Sequence, residues 1–190
     1  MSYTQFKSLD KVIEKFSLHE QNTVLFPNSS VQTPTLGWQK HWDMSWKAKW
    51  LILAKNRAPS LLFFLFCWNY GAIIDVDKKE GLNGESDFVL GTREQSYFLQ
   101  VPIFCVVEAK DNDMKLGLPQ WVAQMVGVQY FNDKKQQQLP AVYGCVTTGR
   151  DWLFLRLQQK TLVIDDTIYS IENLPRLLGV LEDIVQQFIS

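Results

Sequence analysis

The chain has 190 residues, of which 46% are hydrophobic and 21% charged, and its formal net charge is -1. This length fits one domain with a core of ordinary size, and the near-neutral charge argues against a broadly cationic nucleic-acid-binding surface but leaves room for a local one. Two histidines, and three cysteines without Cys-x-x-Cys spacing, disfavour a zinc site and a histidine-based triad.

The same features predict a cytoplasmic protein with buried free thiols and no membrane contact. The amino terminus is polar, so no signal peptide is expected. The longest apolar stretch, residues 60–74, contains Asn69 and is short for a transmembrane span. We interpret it as a buried helix that runs into a strand.

The first third of the chain is predicted to be helical. Residues 5–18 carry apolar side chains at helical spacing, and residues 26–37 are rich in turn formers and indicate a loop. Four tryptophans then recur at intervals of four residues: Trp38, Trp42, Trp46 and Trp50. We expect at least three of them to be buried in the core, and stacking on unpaired bases is the alternative use of this ladder.

From Tyr70 onward the hydrophobic period changes to that of strands. Three stretches joined by short turns predict an antiparallel meander: 70–77, 86–91 and 97–110. A helix at 118–131 and strands at 141–149 and 152–158 are expected next. Residues 171–189 predict an amphipathic helix interrupted by Pro175.

Together these elements predict an α/β fold in which helices flank a mixed sheet. We expect one domain over residues 1–190. Its amino-terminal part, residues 1–69, is expected to be helical. Residues 70–158 form the core sheet with a crossover helix, and residues 159–190 form a terminal strand and helix.

Charged residues end the third strand of the meander. The apolar run "VPIFCVVEAK" finishes in Glu108, Ala109 and Lys110, and buried charges require a partner or a bound ion. If the second and third strands form a hairpin, Asp87 lies near Glu108. Two carboxylates and the carbonyl of Ala109 suit Mg²⁺, or Mn²⁺ in its place, and Lys110 could orient a metal-activated water or stabilise an anionic phosphate.

This pattern resembles the PD-(D/E)XK nuclease superfamily, which has a restriction-endonuclease-like fold. The resemblance rests on Asp87, then Glu108-Ala109-Lys110, then a helix that carries Gln120 and Gln124. It implies that Asp87 and Glu108 bind magnesium and that Gln120, with Gln124 in support, completes the site. The implied activity is metal-dependent hydrolysis of a nucleic-acid backbone, with DNA favoured over RNA.

Two positions depart from that superfamily's pattern. Ser86 stands where a proline usually precedes the motif aspartate. Many members also carry a glutamate on the helix before the first strand, whereas this chain has no glutamate between Glu20 and Glu80. Either this ligand or water-holding group is missing, or Glu14 or Glu20 of the first helical region fills its role.

Three other interpretations stay open. Glu108 and Lys110 could form a salt bridge at a strand end, with Asp87 a residue of the turn. The domain could be an inactive nuclease-like module that binds nucleic acid or a protein. It could also be an assembly protein. Such an assembly protein would dimerise through the terminal helix, and a nuclease that cuts both strands is also expected to act as a two-fold homodimer. The apolar residues of that helix are Leu177, Leu178, Leu181, Ile184, Val185 and Phe188.

Overall fold

The computed structural model describes residues 2–29, 67–91, 103–109 and 114–188; for several strand residues, Asp87 and Glu108 among them, it describes the backbone. The described part is a mixed α/β structure in which helices pack against a sheet. The predicted tryptophan ladder and Lys110 lie outside the described residues, so the burial of those tryptophans stays a prediction.

The sheet contains seven strands in the described part of the chain, in the order β1-β7-β6-β5-β4-β3-β2. Their bounds are β1 His19–Thr23, β2 Cys67–Ile73, β3 Glu85–Gly91, β4 Ile103–Ala109, β5 Val142–Thr147, β6 Asp151–Gln158 and β7 Thr161–Ser170. The pairs β4–β5 and β1–β7 are parallel, and the other four pairs are antiparallel. The predicted antiparallel meander is therefore present as β2–β3–β4.

The described residues form three α-helices beside these strands: α1 Leu9–Phe16, α2 Met114–Lys134 and α3 Leu174–Gln186. Helix α2 connects β4 to the parallel strand β5, as a parallel pair requires a crossover. The prediction that Pro175 interrupts the last helix is wrong, because this proline lies in the first helical turn, where its missing N–H has no intrahelical partner to lose.

The two faces of the sheet have different covers. A Cβ added to Gly144 of β5 would meet Trp121 and Met125, so α2 lies on this face, which we call the α2 face. On the other face the Tyr143 hydroxyl and the Gln187 side chain, just after α3, are hydrogen-bonded at 2.8 Å. Strand β5 is buried along its whole length, as expected for a strand covered on both faces.

The sheet is wider than the predicted core of residues 70–158. Strand β1 falls in the part predicted to be helical, and it carries the sequence HEQNT, in which every residue is exposed. It pairs with β7, whose position matches the predicted terminal strand. Helix α1, which precedes β1, packs against α2 and contributes the buried side chains of Val12 and Phe16.

The terminal helix is packed onto its own sheet. Four of the apolar residues on which the expected homodimer rested are buried within the chain: Leu177, Leu178, Ile184 and Val185. Leu181 and Phe188 pack against the same core. The homodimer stays a prediction, but this helix no longer supports it, because its apolar stripe already has a partner.

Candidate functional site

The strand register brings Asp87 and Glu108 to opposite positions. Strands β3 and β4 are antiparallel, with Phe88 opposite Val107 and Val89 opposite Val106. Continuing this pairing by one residue on each strand sets Asp87 opposite Glu108. Directly opposite residues share a face of the sheet, with Cβ atoms about 4.5–5.5 Å apart. The backbone therefore meets the condition that one divalent ion could reach both residues.

This pair of positions lies on the α2 face. In the parallel pair β4–β5, Val106 is beside Gly144 and Glu108 is beside Val146. Residues two apart on a strand share a face, so Glu108 belongs to the face of Gly144, which α2 covers. Helix α2 begins just after the end of β4, and its first turns are therefore at the end of the sheet where Glu108 lies.

The two predicted glutamines occupy different environments on α2. Gln124 is fully buried, and its Nε2 donates to the carbonyl of Glu85 at 3.4 Å. Glu85 is two residues before Asp87 on the same strand, so Gln124 ties α2 to the start of β3. Gln120, one turn earlier, is partly exposed. The structure thus brings Gln124 to the strand that carries Asp87, while Gln120 is the better placed to meet a ligand from solvent.

The two glutamates considered as substitutes are not equally placed. Glu20 lies in β1, which is separated from β4 by three intervening strands. At about 4.8 Å per strand spacing, the two strands are roughly 19 Å apart. The structure therefore does not bring Glu20 together with Glu108. Glu14 is exposed on α1, which packs against α2 on the outside of the core.

The donor set at this position is oxygen-based. Two carboxylate residues stand at opposite register positions, and Ala109 ends β4 and can offer its carbonyl. Mg²⁺ prefers such ligands, usually one or two carboxylates completed by water and substrate oxygens. Among side chains that the structure describes, no group of three His, Cys, Asp or Glu residues is arranged to hold a metal ion. Asp87, Glu108 and the Ala109 carbonyl remain the predicted ligands of a metal ion.

A buried polar cluster on the opposite side of the sheet was not predicted. Asp165 is 4% exposed, and its carboxylate accepts hydrogen bonds from the N–H groups of Leu25 and Thr167 and from the Tyr169 hydroxyl. Burial raises the pKa of Asp165, although these hydrogen bonds oppose the shift. Burial and the nearby Asp165 raise the pKa of Tyr169 to about 12.

This cluster anchors the segment that follows β1. The Arg176 guanidinium donates to the carbonyls of Phe26 and Ser29, at 2.5 and 2.8 Å, and the Asp165 carboxylate accepts from the Leu25 N–H. No local pattern in the sequence marks Asp165, because a single aspartate in a polar-looking strand normally indicates a solvated position. The cluster is structural and stands apart from Asp87 and Glu108.

Comparison with protein-family models, with curated proteins and with solved structures finds no match for this chain. Of the helices that the structure describes, none combines the length and the apolar character needed to cross a bilayer. Inference about function therefore depends on the residues and their arrangement.

Proposed function

We propose that this protein is a magnesium-dependent phosphodiesterase that hydrolyses a nucleic-acid backbone, DNA in preference to RNA, on a restriction-endonuclease-like fold. The observation that carries the proposal is the register of β3 and β4, in which Phe88 is opposite Val107, so that one further step of the same pairing would set Asp87 opposite Glu108. The order of strands and helix supports it, because a three-strand meander is followed by a crossover helix and a parallel strand.

In this proposal Asp87, Glu108 and the carbonyl of Ala109 hold Mg²⁺ or Mn²⁺. A bound divalent ion would lower the pKa of a coordinated water and offset charge on the phosphate. Lys110 orients the attacking water, and Gln120 contacts the substrate or that water. Gln124 has a supporting role, because its buried side chain fixes the start of β3 against α2.

The proposal is tested by incubating the full chain with plasmid DNA and with single-stranded DNA, in magnesium, in manganese and with a chelator. We expect metal-dependent cleavage that Asp87→Asn and Glu108→Gln abolish. Glu20→Gln is the matched control, because it removes an equivalent charge roughly 19 Å from β4 and should leave cleavage unchanged. Cleavage that persists in Asp87→Asn would refute the assignment of the metal ligands.

Stability measurements separate this proposal from the salt-bridge interpretation. Two carboxylates crowded together without a cation repel each other, so Asp87→Asn should raise the melting temperature of the metal-free protein and abolish its further rise with Mg²⁺. A structural salt bridge or turn predicts the reverse: Asp87→Asn would lower the melting temperature, and Mg²⁺ would have no effect on either protein.

An inactive nuclease-like module is the alternative, and one observation favours it. The structure places Glu20 far from β4 and Glu14 in an exposed position on α1, and the sequence supplies no glutamate between Glu20 and Glu80, so neither residue matches the additional glutamate found in many members of the superfamily. Calorimetric titration with Mg²⁺ distinguishes the two. Titration of an intact site gives a heat of binding that saturates, whereas a degraded site binds no divalent ion and gives no such heat.

A further inference from the structure

A second concave site lies between the carboxyl-terminal part of α2 and the beginning of β5. It is a groove of about 280 Å³, close to the lower end of the range for small-molecule pockets. Its apolar walls come from Leu139, Ala141, Val142 and Leu157. Val142 starts β5 while Val146 is beside Glu108, so the groove is four residues, or about 13 Å, along the sheet from the carboxylate pair.

The polar side of this groove consists largely of amides. Four glutamines line it: Gln129, Gln137, Gln138 and Gln159. Asn132 also borders it, but the amide of Asn132 is already bonded to both backbone polar groups of Ile103. Across the described part of the chain, no side-chain hydrogen bond engages the four glutamine amides. Their donors and acceptors are therefore available to a ligand.

The charge of the lining restricts the chemistry of that ligand. Among the described residues that line the groove, Asp133 is the only charged one, and none is a lysine or an arginine. An anionic group such as a phosphate would meet a carboxylate and no cation, so the bound group should be neutral. The aliphatic walls favour a ligand that has an apolar surface.

Primary amides have a donor and an acceptor side by side, and so do the edges of nucleobases. A glutamine amide can pair with a base through two parallel hydrogen bonds, and a carboxylate can accept from an exocyclic amine. Apolar side chains commonly hold the faces of an extruded base. We propose that this groove binds a single neutral nucleobase, with glutamine amides on its edge and the aliphatic residues against its face.

The base has two sources, a free nucleoside or an unpaired base in a nucleic-acid strand. The groove is built from residues other than Asp87 and Glu108, so its use does not depend on the proposed phosphodiesterase activity. If the source is a strand, the base would occupy a position about 13 Å from the carboxylate pair, with its phosphates outside the groove.

The test is a titration of the full chain with adenosine, guanosine, cytidine and uridine, in which binding is monitored by protein-observed NMR. We compare the wild type with the double variant Gln129→Ala/Gln137→Ala and with the single variant Gln137→Ala. The single variant changes only a loop residue, so it should remain folded and keeps the test usable if the double variant does not fold. Gln21→Ala is the matched control, because it removes an exposed amide from the edge strand β1. Thermal melting checks that each variant is folded.

We expect saturable binding of at least one nucleoside, weakened at least tenfold in the double variant, weakened in Gln137→Ala and unchanged in Gln21→Ala. A single-stranded oligonucleotide that carries the same base identifies the source: loss of its binding in the same variants assigns the groove to a strand, and unchanged oligonucleotide binding assigns it to free nucleosides. Maltose, a neutral ligand without a base, serves as the control ligand. The inference is overturned if no nucleoside binds saturably, if maltose binds as well as the nucleosides, or if the folded variants bind nucleosides like the wild type.

Discussion

Asn132 holds the first residue of β4, and its removal gives a measurable loss of stability. Asn132 is 2% exposed; its Oδ1 accepts from the Ile103 N–H at 3.0 Å, and its Nδ2 donates to the Ile103 carbonyl at 2.6 Å. The register between β3 and β4 shifts between Leu90 and Gly91, and Gly91 is opposite Ile103. At this irregularity the Asn132 amide bonds the backbone of Ile103, as a neighbouring strand would in a regular ladder. Asn132→Ala leaves two buried backbone groups without partners.

Each such buried group costs about 1–3 kcal/mol, so Asn132→Ala should lower the free energy of unfolding by about 2–6 kcal/mol. Urea unfolding measures this loss, which should appear as a lower midpoint with an unchanged slope. The matched control is Asn22→Ala on β1, where the side chain is exposed and the change should stay within about 0.5 kcal/mol. Amide hydrogen exchange at Ile103 should also accelerate. A loss below about 1 kcal/mol, with slow exchange retained, would refute this account of Asn132.

Three further predictions concern other parts of the molecule. Gly127→Ala should destabilise the protein by about 1–3 kcal/mol, because a Cβ there would lie 2.1 Å from the Tyr3 hydroxyl; thermal melting should show a smaller effect in a Tyr3→Phe background, and equal effects would contradict this cause. Burial raises the pKa of Asp165, so its neutral form is favoured in the fold, and this contribution to stability is lost as pH rises from the unfolded carboxyl value of 3.8 through the folded pKa. The free energy of unfolding of wild type relative to Asp165→Asn should therefore fall over that interval, and a difference independent of pH would contradict it. Under the proposed function, Lys110→Ala should abolish cleavage and leave Mg²⁺ affinity measured by calorimetry nearly unchanged, since a lysine is not a ligand; lost Mg²⁺ binding in a folded variant would reject that role.

The elements that could be predicted from the sequence are those with a hydrophobic period. The strands β2 to β6 and the helices α1, α2 and α3 all have such a pattern. The structure places each of them within a few residues of its expected range, except that β4 lies inside its expected range of 97–110, part of which falls outside the described residues. Strand β1 could not be found in this way, because all five of its residues are exposed and its strand conformation comes from pairing with β7. An alternation of buried and exposed residues cannot identify a strand in which every residue is exposed.

Helix α2 shows a second limit of the sequence. The pattern predicted a start at residue 118, whereas the helix begins at Met114 and contains Pro119. Pro119 is the sixth residue of this helix, beyond the first N–H groups that lack intrahelical partners, so it removes one intrahelical hydrogen bond, and this cost is set against the packing of a long buried helix. The full burial of Gln124 was likewise not visible, since glutamines at helical spacing usually face solvent.

For the candidate site, the sequence supplied the residue types and a plausible hairpin, and the structure supplied the register. Asp87 and Glu108 are 21 positions apart, and the loop between β3 and β4 did not determine which residues would pair. A shift of one residue would have set them on opposite faces. The cluster around Asp165 and Arg176 depends on distant partners and has no local signal at all.

The parallel pairing of β1 with β7 has a consequence for the order in which the chain can fold. His19 of β1 is opposite Thr161 of β7, so almost the whole chain must be synthesised before this edge of the sheet can form. Until then β7 has no outer neighbour, and β1, which is polar, has no apolar surface with which to associate early. Contacts between residues so distant in sequence form slowly because a long loop must close. The growing polypeptide on the ribosome should therefore acquire the meander and α2 first, and the amino-terminal strand should dock last, although it is made first.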